Sequence, residues 1–183
     1  MLDAKQVADL ITMARALLAL FLAWIGFTQG VAGLPLAVWT MVVDWTGDSI
    51  DGPIARRSRV YYHTWIGDHD LQIDMLVSAG LLVYMLASGF VHVWVAGLYL
   101  LIWLLIFWRW GAAFVLGMLF QAPIYGWFIW IALREVPSVG VWLIIWMVVA
   151  LIITWPKFPK MVVPGFLGGM EELLKSKGII RKD

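Results

Sequence analysis

The chain has 183 residues, 63% of them hydrophobic and 14% charged, with a mean hydropathy of +0.89. That is too little charge to cover the surface of a soluble domain of this size. A formal net charge of +1 builds no field that would draw nucleic acid, and zero cysteines exclude disulfides and thiolate metal sites. The composition predicts an all-α integral membrane protein, folded as one domain over residues 1–183.

In chain order, residues 3–9 read as a short amphipathic piece resting on the membrane surface, so that 1–9 form an interfacial N-terminal segment. Six apolar stretches then approach the roughly 20 residues a span needs. They are residues 10–27, 34–56, 70–90, 91–108, 112–133 and 139–155, and together they make a six-helix transmembrane bundle over residues 10–155. The first is followed by further spans and by no small-residue cleavage site, so it reads as a retained helix. Gly89 and the change of pattern near His92 predict a tight turn between the third and fourth spans. Pro53 should loosen the second span and Pro123 kink the fifth. Gly80, Gly97, Gly111, Gly117 and Gly126 read as sites of close helix packing. The 13 Trp suit membrane interfaces and lipid-facing surface. Residues 156–183 form an interfacial tail in which Lys157, Lys160, Lys175, Lys177, Arg181 and Lys182 would attract anionic lipid.

Basic residues predict the orientation. Lys5, the 56–59 loop with Arg56, Arg57 and Arg59, Arg109 and the tail all fall on one side, and only Arg134 falls on the other. By the positive-inside rule both termini and the 56–59 loop face the cytoplasm.

Six of the twelve acidic residues lie between Asp44 and Asp74. Asp44, Asp48 and Asp51 interrupt the second span, Asp70 and Asp74 open the third, and Asp68 just precedes it. A carboxylate at membrane depth costs roughly 2.5–3.5 kcal/mol on insertion scales, so five of them need a compensating partner. Asp44 and Asp48 are i, i+4, Asp48 and Asp51 are i, i+3, and Asp70 and Asp74 are i, i+4. Each set therefore shares a helix face. Two facing helices would direct the carboxylates into one pocket, where cations must offset their repulsion. Hard oxygen ligands in that number suit Mg²⁺, Mn²⁺ or Ca²⁺. With only His63 and His69 at the edge, a zinc site is disfavoured. Gly52 and Ala55 leave room beside the carboxylates. Arg56, one turn beyond Gly52, can pair with a carboxylate or clamp a phosphate. In outline this is a site for a metal-bound diphosphate.

The segment Asp48-Ser-Ile-Asp51-Gly52-Pro-Ile-Ala55-Arg56, followed by Gly67, Asp70 and Asp74, resembles the signature of the CDP-alcohol phosphotransferase (CDP-alcohol phosphatidyltransferase) family, D-x2-D-G-x2-A-R-x8–9-G-x3-D-x3-D. All eight fixed residue types occur in order. Thr12-Met-Ala-Arg15 is similar, less specifically, to the family's first-helix pattern. Gly67 departs from the spacing: ten residues separate it from Arg56 and two from Asp70, while thirteen separate Arg56 from Asp70, as in the family. The aspartates keep their register and the glycine is displaced, which marks a divergent member. The resemblance implies Mg²⁺ or Mn²⁺, as two divalent ions, held by Asp48, Asp51, Asp70 and Asp74. It implies a CDP moiety held by Asp48, Gly52, Ala55, Arg56 and Gly67. Asp74 would be the general base that takes a proton from an acceptor hydroxyl, whose oxygen attacks the phosphate of CDP-diacylglycerol or a CDP-alcohol and releases CMP. It implies phospholipid biosynthesis and a homodimer.

Outside the motif, Asp44, Asp68, Arg15, Arg59 and Arg109 are candidates for contacting the acceptor or supporting the ligands. Simpler readings stand beside these. Asp68 can cap the third helix. Arg57 and Arg59 can be orientation anchors. Arg15 and Arg109 are expected to snorkel. A cation- or proton-coupled transporter and a catalytically inactive family relative are the alternative functions. The acid confined to one short stretch favours the enzyme over a transporter built from repeats.

Overall fold

The structure, a computed structural model, describes residues 3–58, 64–111, 113–156 and 158–176, and of Asp68 the backbone alone. Among the described residues every regular element is helical. Helix α1 spans Ala4–Gln29 and a 3-10 turn, Gly30–Gly33, leads into α2, Leu34–Ala55. A single turn, α3, Trp65–Asp68, precedes α4, Asp70–Ala87. Then come α5, Val93–Trp110, α6, Phe114–Glu135, and α7, Pro137–Thr154. A π-helical turn, Phe158–Val162, and α8, Val163–Ser176, close the described chain.

Among the described residues, five segments are long and apolar enough to cross a membrane: Ala4–Ala55, Asp70–Ala87, Val93–Trp110, Phe114–Glu135 and Pro137–Thr154. The first runs 52 residues and contains both α1 and α2. Its 3-10 turn reverses the chain, because α1 and α2 pack side by side along their length. The turn at Gly89, with φ +76°, separates α4 from α5 where the sequence predicts it. Positive φ carries no Cβ penalty at glycine.

One local expectation changes. Residues 4–9 are not a separate element but the first turns of α1. Asp3 caps α1, its backbone N–H donating to Gln6 Oε1 at 3.1 Å, and Ala4 onward is continuous helix. No breaker stands between residues 4 and 10, so the helix propagates through them. The same turns tie down the chain on either side of residues 59–63: Ser58 Oγ donates to Asp3 Oδ2 at 2.6 Å, and Thr64 Oγ1 donates to Asp9 Oδ1 at 3.0 Å. Pro53 lies inside α2, which runs two residues past it. Pro123 likewise lies inside an uninterrupted α6.

Helix α1 is the hub, packing most extensively on α4 and α2, while α6 joins α4 to α7. Glycine sets the α1–α4 approach. A Cβ on Gly80 would lie 2.4 Å from the Ala19 carbonyl oxygen, and one on Gly26 would lie 2.8 Å from Tyr84 Cα. Close backbone packing of this kind is how helices associate where lipid removes the hydrophobic drive. Gly117 similarly accommodates Leu71. Gly97 and Gly126 do not pack closely, since a Cβ on either would meet nothing within 4 Å, and Gly111 ends α5 at φ +79°. Apolar side chains at Leu22, Ile25, Leu34, Val38, Met41, Val77, Leu81 and Met85 fill the core beyond the acidic end.

Candidate metal centre

Helices α1, α2 and α4 bring five carboxylates to one arginine. Arg15, in the fourth turn of α1, is 3% exposed. Its Nε lies 3.1 Å from Asp44 Oδ1, and its Nη1 lies 2.9 Å from Asp48 Oδ1, 3.3 Å from Asp51 Oδ2 and 3.5 Å from Asp70 Oδ1. Its Nη2 donates to Asp74 Oδ1. The helical spacing of the aspartates is what lets one guanidinium reach all five: Asp44, Asp48 and Asp51 line one face of α2, and Asp70 and Asp74 line one face of α4. Thr12, one turn before Arg15, donates from Oγ1 to Asp51 Oδ2 at 3.2 Å and to the Ala8 carbonyl at 3.2 Å.

The five carboxylates differ in access. The Asp44 side chain is 1% exposed and that of Asp51 is 8% exposed, whereas those of Asp48 and Asp70 are each 47% exposed. Asp74 stands between. The site therefore has a closed inner side of Asp44, Asp51 and Arg15, and an open outer side of Asp48, Asp70 and Asp74. On that outer side the three carboxylates offer oxygens that all lie within 4.8 Å of one another. A hard divalent ion with oxygens at about 2.1 Å (Mg²⁺) to 2.5 Å (Ca²⁺) places opposite ligands roughly 4–5 Å apart, so this cluster can hold a metal ion. Five carboxylates against one guanidinium leave a formal charge of −4. Asp44 Oδ2 and Asp70 Oδ1 are buried without a hydrogen bond, Asp70 Oδ1 having only its longer ion pair to Arg15. Such oxygens have capacity for a cation or water.

The other predicted site residues separate into near and far. Gly52 and Ala55 follow Asp51 on the last turn of α2, and the Arg56 side chain folds back so that a Cβ on Gly52 would lie 3.2 Å from its Nη1. Arg56 is exposed and makes no ion pair with the described residues. Gly67 belongs to α3, one turn ahead of Asp70, and its N–H donates to Thr64 Oγ1 at 3.1 Å. Its displaced spacing thus corresponds to an extra helical turn pinned to α1. His69 is not part of the carboxylate group: its ring stacks on Trp65 at 4.4 Å and its Nδ1 meets the Trp65 carbonyl at 2.7 Å. Arg109 is exposed in the last turn of α5, as snorkelling requires. Arg57 is exposed too, while Arg59, His63 and the Asp68 side chain lie outside the described residues.

Arg15 is the main correction, since it is buried in the carboxylates and does not snorkel. The signal was available: it is the one basic residue well inside a span, and an intramembrane arginine needs acidic partners. Two α6 residues escape a motif-based reading altogether. The Tyr125 hydroxyl donates to Gln121 Oε1 at 3.2 Å, its ring meets Trp45 edge-on at 5.6 Å, and it lies in the field of Asp44 and Asp74. The fold and site define a helical protein with membrane-spanning potential and a polyaspartate centre. In comparisons with known proteins, the chain matches no family model, no curated protein and no solved structure.

Proposed function

We propose that this protein is a metal-dependent transferase of the CDP-alcohol phosphotransferase type, moving a substituted phosphate group from a CDP-linked donor to an acceptor alcohol and releasing CMP. The observation that carries the reading is the meeting of Asp48 on α2 with Asp70 and Asp74 on α4, oxygens within 4.8 Å. Those are motif positions, and the motif's small residues and Arg56 lie on the adjoining turn of α2. Mg²⁺ or Mn²⁺, as two ions, would balance the formal charge of −4 and supply Lewis-acid stabilisation of the phosphates.

The chain's own residues have distinct tasks in this reading. Asp48, Asp51, Asp70 and Asp74 hold the cations. Gly52 and Ala55 leave space for the donor diphosphate, and the Arg56 fork takes one of its phosphates. Asp74 accepts the proton of the acceptor hydroxyl. The acceptor oxygen then bonds to the phosphorus that carries the donor's alcohol, and the bond from that phosphorus to the CMP oxygen breaks. Beyond Thr40 on α2 and Ser78 on α4 the described core is chiefly apolar, which favours a reaction at one membrane face over a cation path across it.

The same reading proposes six spans, with α1 and α2 crossing separately, and both termini and the site on the cytoplasmic side. It also proposes a place in phospholipid synthesis and a homodimer. The test is CMP release by purified protein given Mg²⁺ or Mn²⁺, CDP-diacylglycerol or CDP-alcohols, and a panel of acceptor alcohols. Release that requires both metal and acceptor is expected. No release with any donor removes the proposal.

A further inference from the structure

We propose that Arg15 is the resident counter-cation of the carboxylate set, holding Asp44, Asp48, Asp51, Asp70 and Asp74 convergent before any divalent ion binds. The inference rests on the metal-binding half of the proposed function and is independent of the transfer chemistry.

Without a cation, five carboxylates on two helices that each pack on α1 would repel one another and push the acidic ends of α2 and α4 apart. Arg15 comes from a third helix and meets all five. A guanidinium suits the task because its donors point in fixed, divergent directions from one plane. Nε serves Asp44, Nη1 faces Asp48, Asp51 and Asp70, and Nη2 serves Asp74. An ammonium, with its charge at one point, could not cover that spread.

The site is built around this side chain. Gly47 lies against its stem, where a Cβ would come 3.3 Å from Arg15 Cδ and 3.4 Å from Cγ. Access divides the labour. Asp44 and Asp51 are closed from solvent and held by Arg15, and the Asp51 oxygen that meets Arg15 also accepts from Thr12. Asp48, Asp70 and Asp74 face outward and are shared between the arginine and an incoming ion. Because one guanidinium leaves a charge of −4, Arg15 organises the ligands without abolishing their attraction for metal.

The experiment uses the full chain purified in detergent, with thermal unfolding followed in EDTA and again in Mn²⁺. Arg15→Met should lower the EDTA midpoint by on the order of 10 °C, the scale expected when a buried charge loses its partner. Mn²⁺ should recover at least half of that loss, a larger shift than in the unmodified protein, and Arg15→Lys should fall in between. A variant that melts with the unmodified protein in EDTA overturns the proposal. So does an equal loss with and without Mn²⁺, which would make Arg15 a packing residue only. Should Arg15→Met yield no folded protein, Gly47→Val displaces the stem while keeping the charge, and its two midpoints are judged the same way. Melting is read without any substrate. Absent CMP release with intact Mn²⁺ rescue therefore sinks the transferase alone, and the reverse result sinks this inference alone.

Discussion

Helices α4 and α5 are both 18 residues long and similarly apolar, with mean hydropathies of 1.5 and 1.7, yet they are packed in opposite ways. Helix α4 is wedged between α1 and α6, while α5 touches α4 only lightly and leaves most of its side chains exposed, Trp94, Leu98, Leu104 and Trp108 among them. The more apolar helix is the less buried one. In a bilayer, lipid tails satisfy apolar side chains as well as protein does, so hydrophobicity does not choose helix partners. Close glycine contacts and polar groups choose them, and α4 has both in Gly80, Asp70 and Asp74.

That contrast can be broken most severely at the acidic end of α4. Asp74→Asn should lower CMP release by about 10²–10⁴-fold, the range for a lost general base, while the chain elutes and melts as a folded protein. Full activity in that variant would remove the assigned base. Next come matched glycines. Gly80→Leu drives a side chain into the Ala19 backbone and should destabilise by about 3 kcal/mol or more, with loss of activity as α4 is displaced from Arg15. Gly97→Leu on α5 enters open space and should change the denaturation midpoint by less than about 0.5 kcal/mol equivalent. Equal effects at the two positions would show that the packing difference is not real. A smaller loss is expected at the hydrogen bond beneath the site. Thr12→Val keeps the shape and removes the donor to Asp51, which should cost roughly 1–3 kcal/mol, read in the same unfolding assay.

The smallest effect lies outside the helical core. In α8, Lys175 lies 2.6 Å from Glu171 and holds its carboxyl below the usual range through a hydrogen bond and its charge. A depressed folded value means the contribution is present above the unfolded carboxylate range and is lost as pH falls through the folded value. Acidification through that window should lower the amide protection factors of α8, taken relative to the intrinsic exchange rate at each pH, and Glu171→Gln should remove that drop without moving the global midpoint. The pair is solvent-exposed, so a large global effect would contradict its placement.

Much of this was legible locally. The apolar runs, the turn at Gly89 and the i, i+3 and i, i+4 aspartate spacings are properties of single helices, and they located α4 to α7 to within a few residues. The continuous helix through residues 4–9 was missed because a few polar side chains look amphipathic while helix propagation ignores them. Gly80 was rightly read as a packing glycine and Gly97 was not. A glycine in a span carries the same local signal whether it faces a helix or lipid. Arg15 was misplaced because a span begun at residue 10 puts it near an end; with α1 beginning at Ala4 it lies about three turns in, too deep to snorkel.

The sequence by itself determined that the chain is helical and apolar, and that its acid is concentrated on one face each of α2 and α4, because helix period and composition are local. Only the tertiary structure decided that those faces meet, that α1 inserts Arg15 among them, and that Asp44 and Asp51 are closed while Asp48 and Asp70 stay open. Those outcomes depend on which backbones can approach, at Gly26 and Gly80, on the room Gly47 leaves for the Arg15 stem, and on how five like charges share one cation. All are relations among three helices that no single stretch of chain encodes.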